Sequence, residues 1–304
     1  MKKLFVIGLL LLTSSGAFSQ QDAIYSQYMF NPFAINPAYA GSRQSISTVM
    51  LFRNQWLGIE GAPQTATVAA HAPFKGRNFA LGLNLSSEKI GPGTNGTAQF
   101  TYAYHLKMAK GKLSFGLRAG IYSVSLDRNL LNYNDPNDRF DVGGQINEST
   151  FNADFGMYYY TNNFYAGLST THLGGQTIPF DDGTVVTNFN LKQHYMFATG
   201  AAIELDRTVF KPSILVKYVA TAPVNVDINA SFLFNKMFWL GASYRTEGSV
   251  VLITEYNVTD FMRIGYSYDV ILNALKRFNR GTHELFIGFD FDVTKTKVIS
   301  PRYL

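Results

Sequence analysis

From Asp260 the chain reads DFMRIGYSYDV, and its side chains switch character at every step. Met262, Ile264, Tyr266, Tyr268 and Val270 fall on one side, while Arg263, Gly265, Ser267 and Asp269 fall on the other. A period of two belongs to a strand with unlike faces, and a helical period does not fit it. HELFIGFDF repeats the pattern, with Leu285, Ile287, Phe289 and Phe291 opposed to Glu284, Gly288 and Asp290. TFNADFGMYYY sets Phe151, Ala153, Phe155, Met157 and Tyr159 against Asn152, Asp154 and Gly156, and similar alternations occur near 79–85, 98–106, 113–121, 226–234 and 238–244. A soluble β-sandwich also alternates, but its outward face is polar. Here the glycine-rich, polar face is the one that turns inward, leaving rings and aliphatic groups outside, as in a strand that meets lipid.

Composition agrees with that reading. Aromatic residues make up 15% of the chain, no more than 15% is charged, and there are 26 glycines. The first residues, MKK followed by LFVIGLLLLT and then Ala17-Phe18-Ser19, form a secretory signal over residues 1–19, cleaved after Ser19. No later stretch approaches the about 18 consecutive apolar residues of a membrane helix. A membrane protein of this kind must therefore be a closed barrel, because hydrocarbon offers no partner to a free backbone group. With no cysteine, the chain has neither disulfide nor lipid-anchor thiol. Once Lys2 and Lys3 leave with the signal, the net charge of +5 shrinks, and the weak excess does not argue for nucleic acid.

Alternating runs between residues 43 and 292 predict an all-β, transmembrane antiparallel barrel of about 14 strands, with 12 to 16 open. The stretches 43–52 and 250–258 alternate poorly. Tight turns fall at Lys75-Gly76, Lys110-Gly111, Asn162-Asn163, Asp206-Arg207, Asn235-Lys236 and Thr259-Asp260. They alternate with longer connections, namely SSEKIGPGTNG, residues 127–148, HLGGQTIPFDDGTVVTN and LNALKRFNRG. Short turns on one side and long loops on the other are those of an outer-membrane barrel with both ends in the periplasm. Residues 293–304 are then a periplasmic tail.

Residues 20–42 precede the first strand as an amino-terminal arm, and the run QYMFNPFAINPAYAG within it poses a separate problem. Pro32 and Pro37 fix φ and push Asn31 and Asn36 toward extended geometry, so the arm is expected to be extended and turned, not paired. Tyr28, Phe30, Phe33 and Tyr39 must nevertheless leave water. The shelter available is the periplasmic mouth or the interior of the barrel, which makes the arm either a partial plug or an ordered segment with a packing role only.

Candidate chemistry is sparse. GPGTNG lies between strands without a following helix, so it is a loop and not a dinucleotide fingerprint. Asp135, Asp138 and Asp141 concentrate oxygen in the longest loop, but Arg139 interrupts a calcium-type spacing, and a solvated loop is the simpler reading. His71, His105, His172, His194 and His283 are widely spaced and form no ligand pair in the sequence, so neither metal nor cofactor is expected, and no nucleophile motif points to an enzyme. Charges of both signs lie on inward faces: Arg118, Lys217, Arg245 and Arg263 against Asp154, Asp227, Glu255, Asp269, Glu284 and Asp290. They either pair across the lumen or line an open pore.

The run YSQYMFNPFAINPAYAGSR, then LFRNQWLGIEGAPQTATVAAHAPF, and SPRYL at the end resemble the PorP/SprF family of outer-membrane proteins of the type IX secretion system in Bacteroidetes. The arm motif of that family falls on Asn31, Pro32, Asn36, Pro37 and Tyr39. Its hairpin motif falls on Arg53, Gln55, Trp56, Gly58, Gly61, Ala62 and Pro63. Asn36-Pro37-Ala38 also resembles the NPA of the plug in fatty-acid channel proteins. The first resemblance implies a non-enzymatic barrel of the secretion and gliding machinery, embedded in the outer-membrane bilayer. It also implies secretion components and a large secreted surface protein, such as an adhesin, as partners. Arg53 and Trp56 are the side chains expected at such a contact, since arginine and tryptophan anchor interfaces. The alternative is a passive or substrate-specific channel.

Overall fold

The computed structural model describes residues 22–23, 25–131, 143–181, 186–220 and 222–292. The signal segment 1–19, the tail 293–304 and the acidic cluster Asp135, Asp138 and Asp141 lie outside the described residues.

Antiparallel strands follow one another in chain order: β1 (Ser45–Asn54), β2 (Gln64–Pro73), β3 (Phe79–Ile90), β4 (Gly93–Met108), β5 (Gly111–Asp127), β6 (Gln145–Tyr160) and β7 (Phe164–Thr171). Next come a separate ribbon of β8 (Gln176–Asp181) and β9 (Val186–Leu191), then β10 (His194–Ala201) and β11 (Ile203–Leu205). The wall is completed by β12 (Thr208–Val219), β13 (Asn225–Phe234), β14 (Phe238–Arg245), β15 (Ser249–Asn257), β16 (Met262–Ile271) and β17 (Thr282–Asp292). Successive strands pair from β1 to β7 and from β12 to β17, β7 pairs with β10, β10 and β11 both pair with β12, and β1 pairs with β17 from Ser45↔Asp292 to Asn54↔His283. With β10 and β11 as one interrupted stave and the β8–β9 ribbon set apart, the result is a closed barrel of 14 strands. Closure removes both sheet edges.

The alternation sorts faces as the sequence requires. Phe100 is 70% exposed, Phe151 62% and Phe52 57%, while their neighbours Gln99, Thr101, Asn152 and Arg53 are buried. A water-facing protein tolerates exposed apolar patches of roughly 300–600 Å². An apolar exterior repeated on every strand goes far beyond that and is stable only against lipid. Among the described residues no helix is long and apolar enough to cross a membrane.

Two predicted loops are built differently. SSEKIGPGTNG is not a loop: β3 runs through Ile90 and β4 starts at Gly93, with only Gly91 and Pro92 between, because Ser86↔Thr97 through Ile90↔Gly93 continue the ladder above the membrane wall. GPGTNG is therefore a turn plus strand. HLGGQTIPFDDGTVVTN carries the β8–β9 ribbon, whose Ile178 and Leu191 bury against Tyr122 and Val124 of β5. Apolar residues in a loop that can reach the barrel mouth are driven to cover it.

The arm fills the lumen. Tyr28, Phe33 and Tyr39 are each at most 3% exposed and belong to the same buried cluster as Val49, Tyr158, Trp239 and Phe286 of the wall. The two prolines do not hold it extended. Pro32 opens a single α-turn, Pro32–Ile35, and Pro37 opens a 3-10 turn, Pro37–Tyr39. Proline is well placed at the first helical position, where the missing N–H has no intrahelical partner anyway. Asn31 and Asn36, the residues before the prolines, keep the expected non-helical backbone at φ −136° and −142°.

Candidate functional site

A turned segment inside a barrel has no ladder of its own, so its carbonyl groups need partners from the wall. The wall supplies them with inward side chains. Lys211 Nζ donates to Met29 O (2.9 Å), Arg263 Nη1 to Phe30 O (3.3 Å), Arg118 Nη1 to Phe33 O (3.2 Å) and Ser169 Oγ to Ile35 O (2.7 Å). Asn36 reverses the direction: its Nδ2 donates to Met157 O and Leu168 O on the wall, and its Oδ1 accepts from the N–H of Ala38. The side-chain Nδ2 of Asn31, by contrast, has no hydrogen-bond partner among the described residues.

Strand register explains the charges. Arg118 lies opposite Asp154, Asp227 opposite Arg245, and Arg53 opposite Glu284, and each pair is bridged at 2.7–3.2 Å. Arg53 also reaches Asp269 (2.9 Å), Arg245 reaches Asp269 (3.4 Å), and Arg263 joins Glu255 (3.4 Å) and Asp290 (3.1 Å). The arm completes this network. Ser26 and Gln27 donate successive backbone N–H groups to the two oxygens of Glu284, Ser26 Oγ donates to Asp269, and Arg43 pairs with Asp290 at 2.8 Å. Lys217 lines the lumen cavity.

Small residues on the opposite wall make room. A Cβ on Gly116 would overlap the backbone of Pro37 and Ala38, and one on Gly156 would overlap Asn36. Tyr39 packs edge-on against His71 and Tyr158, and Phe33 against His71. These inward glycines look unremarkable in the sequence. Their purpose appears only with the plug in place.

Arg53, expected at a partner contact, is turned into the lumen and 3% exposed, because odd-numbered residues of β1 face inward. Trp56 and Gln55 sit half-buried in the outer loop after β1, where Trp56 N donates to Thr282 Oγ1 and Leu57 N to Gly281 O. Gly61 adopts φ +71° in the same loop and its carbonyl accepts from Gly91 N. The first outer loop is thus laced to its neighbours on both sides.

Lys211, Arg43, Ser26 and Gln27 were missed by sequence reasoning. Lys211 could have been found by parity, since it shares a face with Val209 and Ser213 of β12. The histidines also need correction. His172 and His194 are far apart in sequence, yet β7 and β10 pair with His194 opposite Thr171, which brings the two rings to 5.8 Å. Asp22 joins them, its Oδ1 at 2.7 Å from His172 Nε2 and its Oδ2 at 3.4 Å from His194 Nδ1. Burial opposes ionisation of Asp22, but the two histidines hold its carboxyl well below the usual range. Burial likewise pushes the Tyr25 hydroxyl up to about 12, and it stays neutral against Thr67 Oγ1.

The arm therefore enters beside Arg43 at the end of the short turns and rises to Asp22 in the half under the long loops. There a cavity of about 130 Å³ remains, lined by Asp22, Tyr25, Glu88, Asn95, Tyr122 and Lys217 among others. A closed antiparallel barrel with an apolar exterior and a lumen occupied by its own chain defines an integral protein of the outer membrane.

Residues 17–289 match the sequence model of the family described as "Type IX secretion system membrane protein PorP/SprF". The chain belongs to that family. No curated protein matches its sequence. Among solved structures, the CymD monoaromatic hydrocarbon channel is similar at 14% identity, with 91% of this chain and 94% of that one covered and a TM-score of 0.51. The toluene transporter TodX of P. putida aligns at 12% identity over 92% and 97% of the two chains, with a TM-score of 0.49. Omp33 of Acinetobacter baumannii aligns at 9% over 82% and 99%, with a TM-score of 0.45. At these identities the likeness concerns the barrel fold alone.

Proposed function

We propose that the chain is a non-enzymatic barrel of the type IX secretion and gliding machinery that helps export large surface proteins, such as adhesins, or holds them at the cell surface. The observation that carries this reading is the lumen itself. A covalently attached plug, tied to the wall from Asp22 to Arg43, occupies the lumen among the described residues, so the work falls to surfaces. The outer loops are the parts free to meet a secreted protein, with Trp56 and Gln55 at the first of them, and the periplasmic rim is free to meet secretion components. Family membership supports the association with that machinery. Deletion of the gene should abolish surface display of one adhesin while other secretion continues. Unchanged display in the deletion strain refutes the proposal.

A passive or substrate-specific channel is the second reading, favoured by the cavity of about 130 Å³ in the outer half of the lumen. Planar-bilayer recording separates the two: a steady open conductance supports the channel, whereas silence together with copurification of secretion components supports the export role.

A further inference from the structure

We propose that Asp22, His172 and His194 bind a divalent transition-metal ion of the zinc type, which fastens the outer end of the plug to β7 and β10. One potential ligand atom from each residue lies within 4.8 Å of the other two. Tetrahedral zinc with ligand bonds of about 2.0–2.1 Å sets its ligands about 3.3 Å apart. Asp22 Oδ1 lies 2.7 Å from His172 Nε2 and Asp22 Oδ2 lies 3.4 Å from His194 Nδ1, so the carboxylate already stands at ligand spacing from both rings, and closing the site takes a shift of side chains within the 4.8 Å cluster. Two imidazoles and one carboxylate suit zinc and its neighbours, whereas calcium and magnesium require oxygen ligands.

The surroundings are those of a built site. His172 Nδ1 lies 2.9 Å from Asn152 Oδ1, to which it donates, which directs Nε2 at Asp22. The backbone N–H of His172 donates to Asp154 Oδ1 (3.1 Å), and Thr171 Oγ1 donates to Asp22 Oδ2 (3.1 Å). Outer-sphere partners of this kind fix ring orientation at metal centres. His172 takes φ +53° at the turn that follows β7, which aims its ring away from the strand ladder. Both nitrogens of His172 face oxygen acceptors, although a neutral imidazole has a single N–H. Nε2 and Asp22 therefore face each other across a position suited to a cation. A metal ion takes the place of the proton there, and that proton leaves to solvent. His194 Nδ1, which donates to Lys192 O without metal, turns its lone pair to the ion by moving its N–H to Nε2. The Asp22 side chain is 31% exposed and lines the cavity, which provides the ion's route and room for a water as fourth ligand.

This inference does not depend on the proposed function. The test uses the full mature chain, purified in detergent, stripped with chelator and titrated with zinc chloride by calorimetry. Cobalt(II) absorption then reports the ligand geometry. One zinc per chain at micromolar affinity is expected, with a tetrahedral cobalt spectrum and no competition from calcium. His172→Gln or Asp22→Asn should weaken binding by about tenfold or more, and His283→Gln should leave it unchanged. Heat-modifiable migration on gels establishes that each variant is a folded barrel. Absence of saturable zinc binding overturns the proposal and leaves a plain imidazolium–carboxylate pair. Equal binding by a folded His172→Gln/His194→Gln double variant overturns it as well.

Discussion

The two walls that grip the plug use opposite means. Strands β1 and β13–β17 meet it with charge: Arg53, Arg245 and Arg263 bind Asp227, Glu255, Asp269, Glu284 and Asp290, and Ser26 and Gln27 lie among them. Strands β4–β7 meet it with absence, since Gly116, Gly156 and Gly167 leave hollows for Asn36, Pro37 and Ala38, and rings close around them. Arg118 pairs with Asp154 on that side, and Asp22 with His172 near its outer end. Charge holds a segment whose backbone groups need partners, and shape holds a segment that already makes its own turns. Around Asn36, Pro37 and Ala38 the arm relies on shape, and on either side, at Ser26 and Arg43, it joins the charged network.

Breaking the charged wall should cost most. Arg53→Ala leaves Asp269 and Glu284 buried without their central cation, a loss of about 3–5 kcal/mol. It should appear as a lower transition temperature for heat-modifiable migration in detergent. A melting point within error of wild type would mean that water already screens this network. On the shaped wall, Gly116→Leu forces a side chain into the backbone of Pro37 and Ala38, and overpacking of this kind costs about 1–3 kcal/mol. The relief available is withdrawal of the plug, so faster proteolysis of the arm and a measurable conductance should accompany it. Intact protection of the arm would show that the hollow can widen.

Asn36→Ala sharpens the comparison, because it removes one side chain that bonds to Met157 O, Leu168 O and Ala38 N and that fills the hollow at Gly156 and Gly167. A loss of about 1–2 kcal/mol is expected, read by the same melting assay. The smallest effect belongs outside both walls. Trp56→Ala should move stability by no more than about 0.5 kcal/mol, while reducing surface display of the adhesin in cells. A large stability change would instead assign Trp56 to loop packing.

The period-two pattern in DFMRIGYSYDV and its repeats settles which face meets lipid, because one residue of slip would place Arg263 and Asp269 in hydrocarbon. The short turns, the near strand count and the need to shelter Tyr28, Phe30, Phe33 and Tyr39 were legible for the same local reason. Periodicity is a property of neighbours in sequence. What lies across the barrel is not: Arg53 to Asp269, Lys211 to Met29 O, Gly116 beneath Ala38 and His172 beside His194 all join residues far apart in the chain, and local pattern carries no trace of such pairs. Strand register and closure put them together, and the plug gave Gly116, Gly156, Arg118 and Lys211 their tasks.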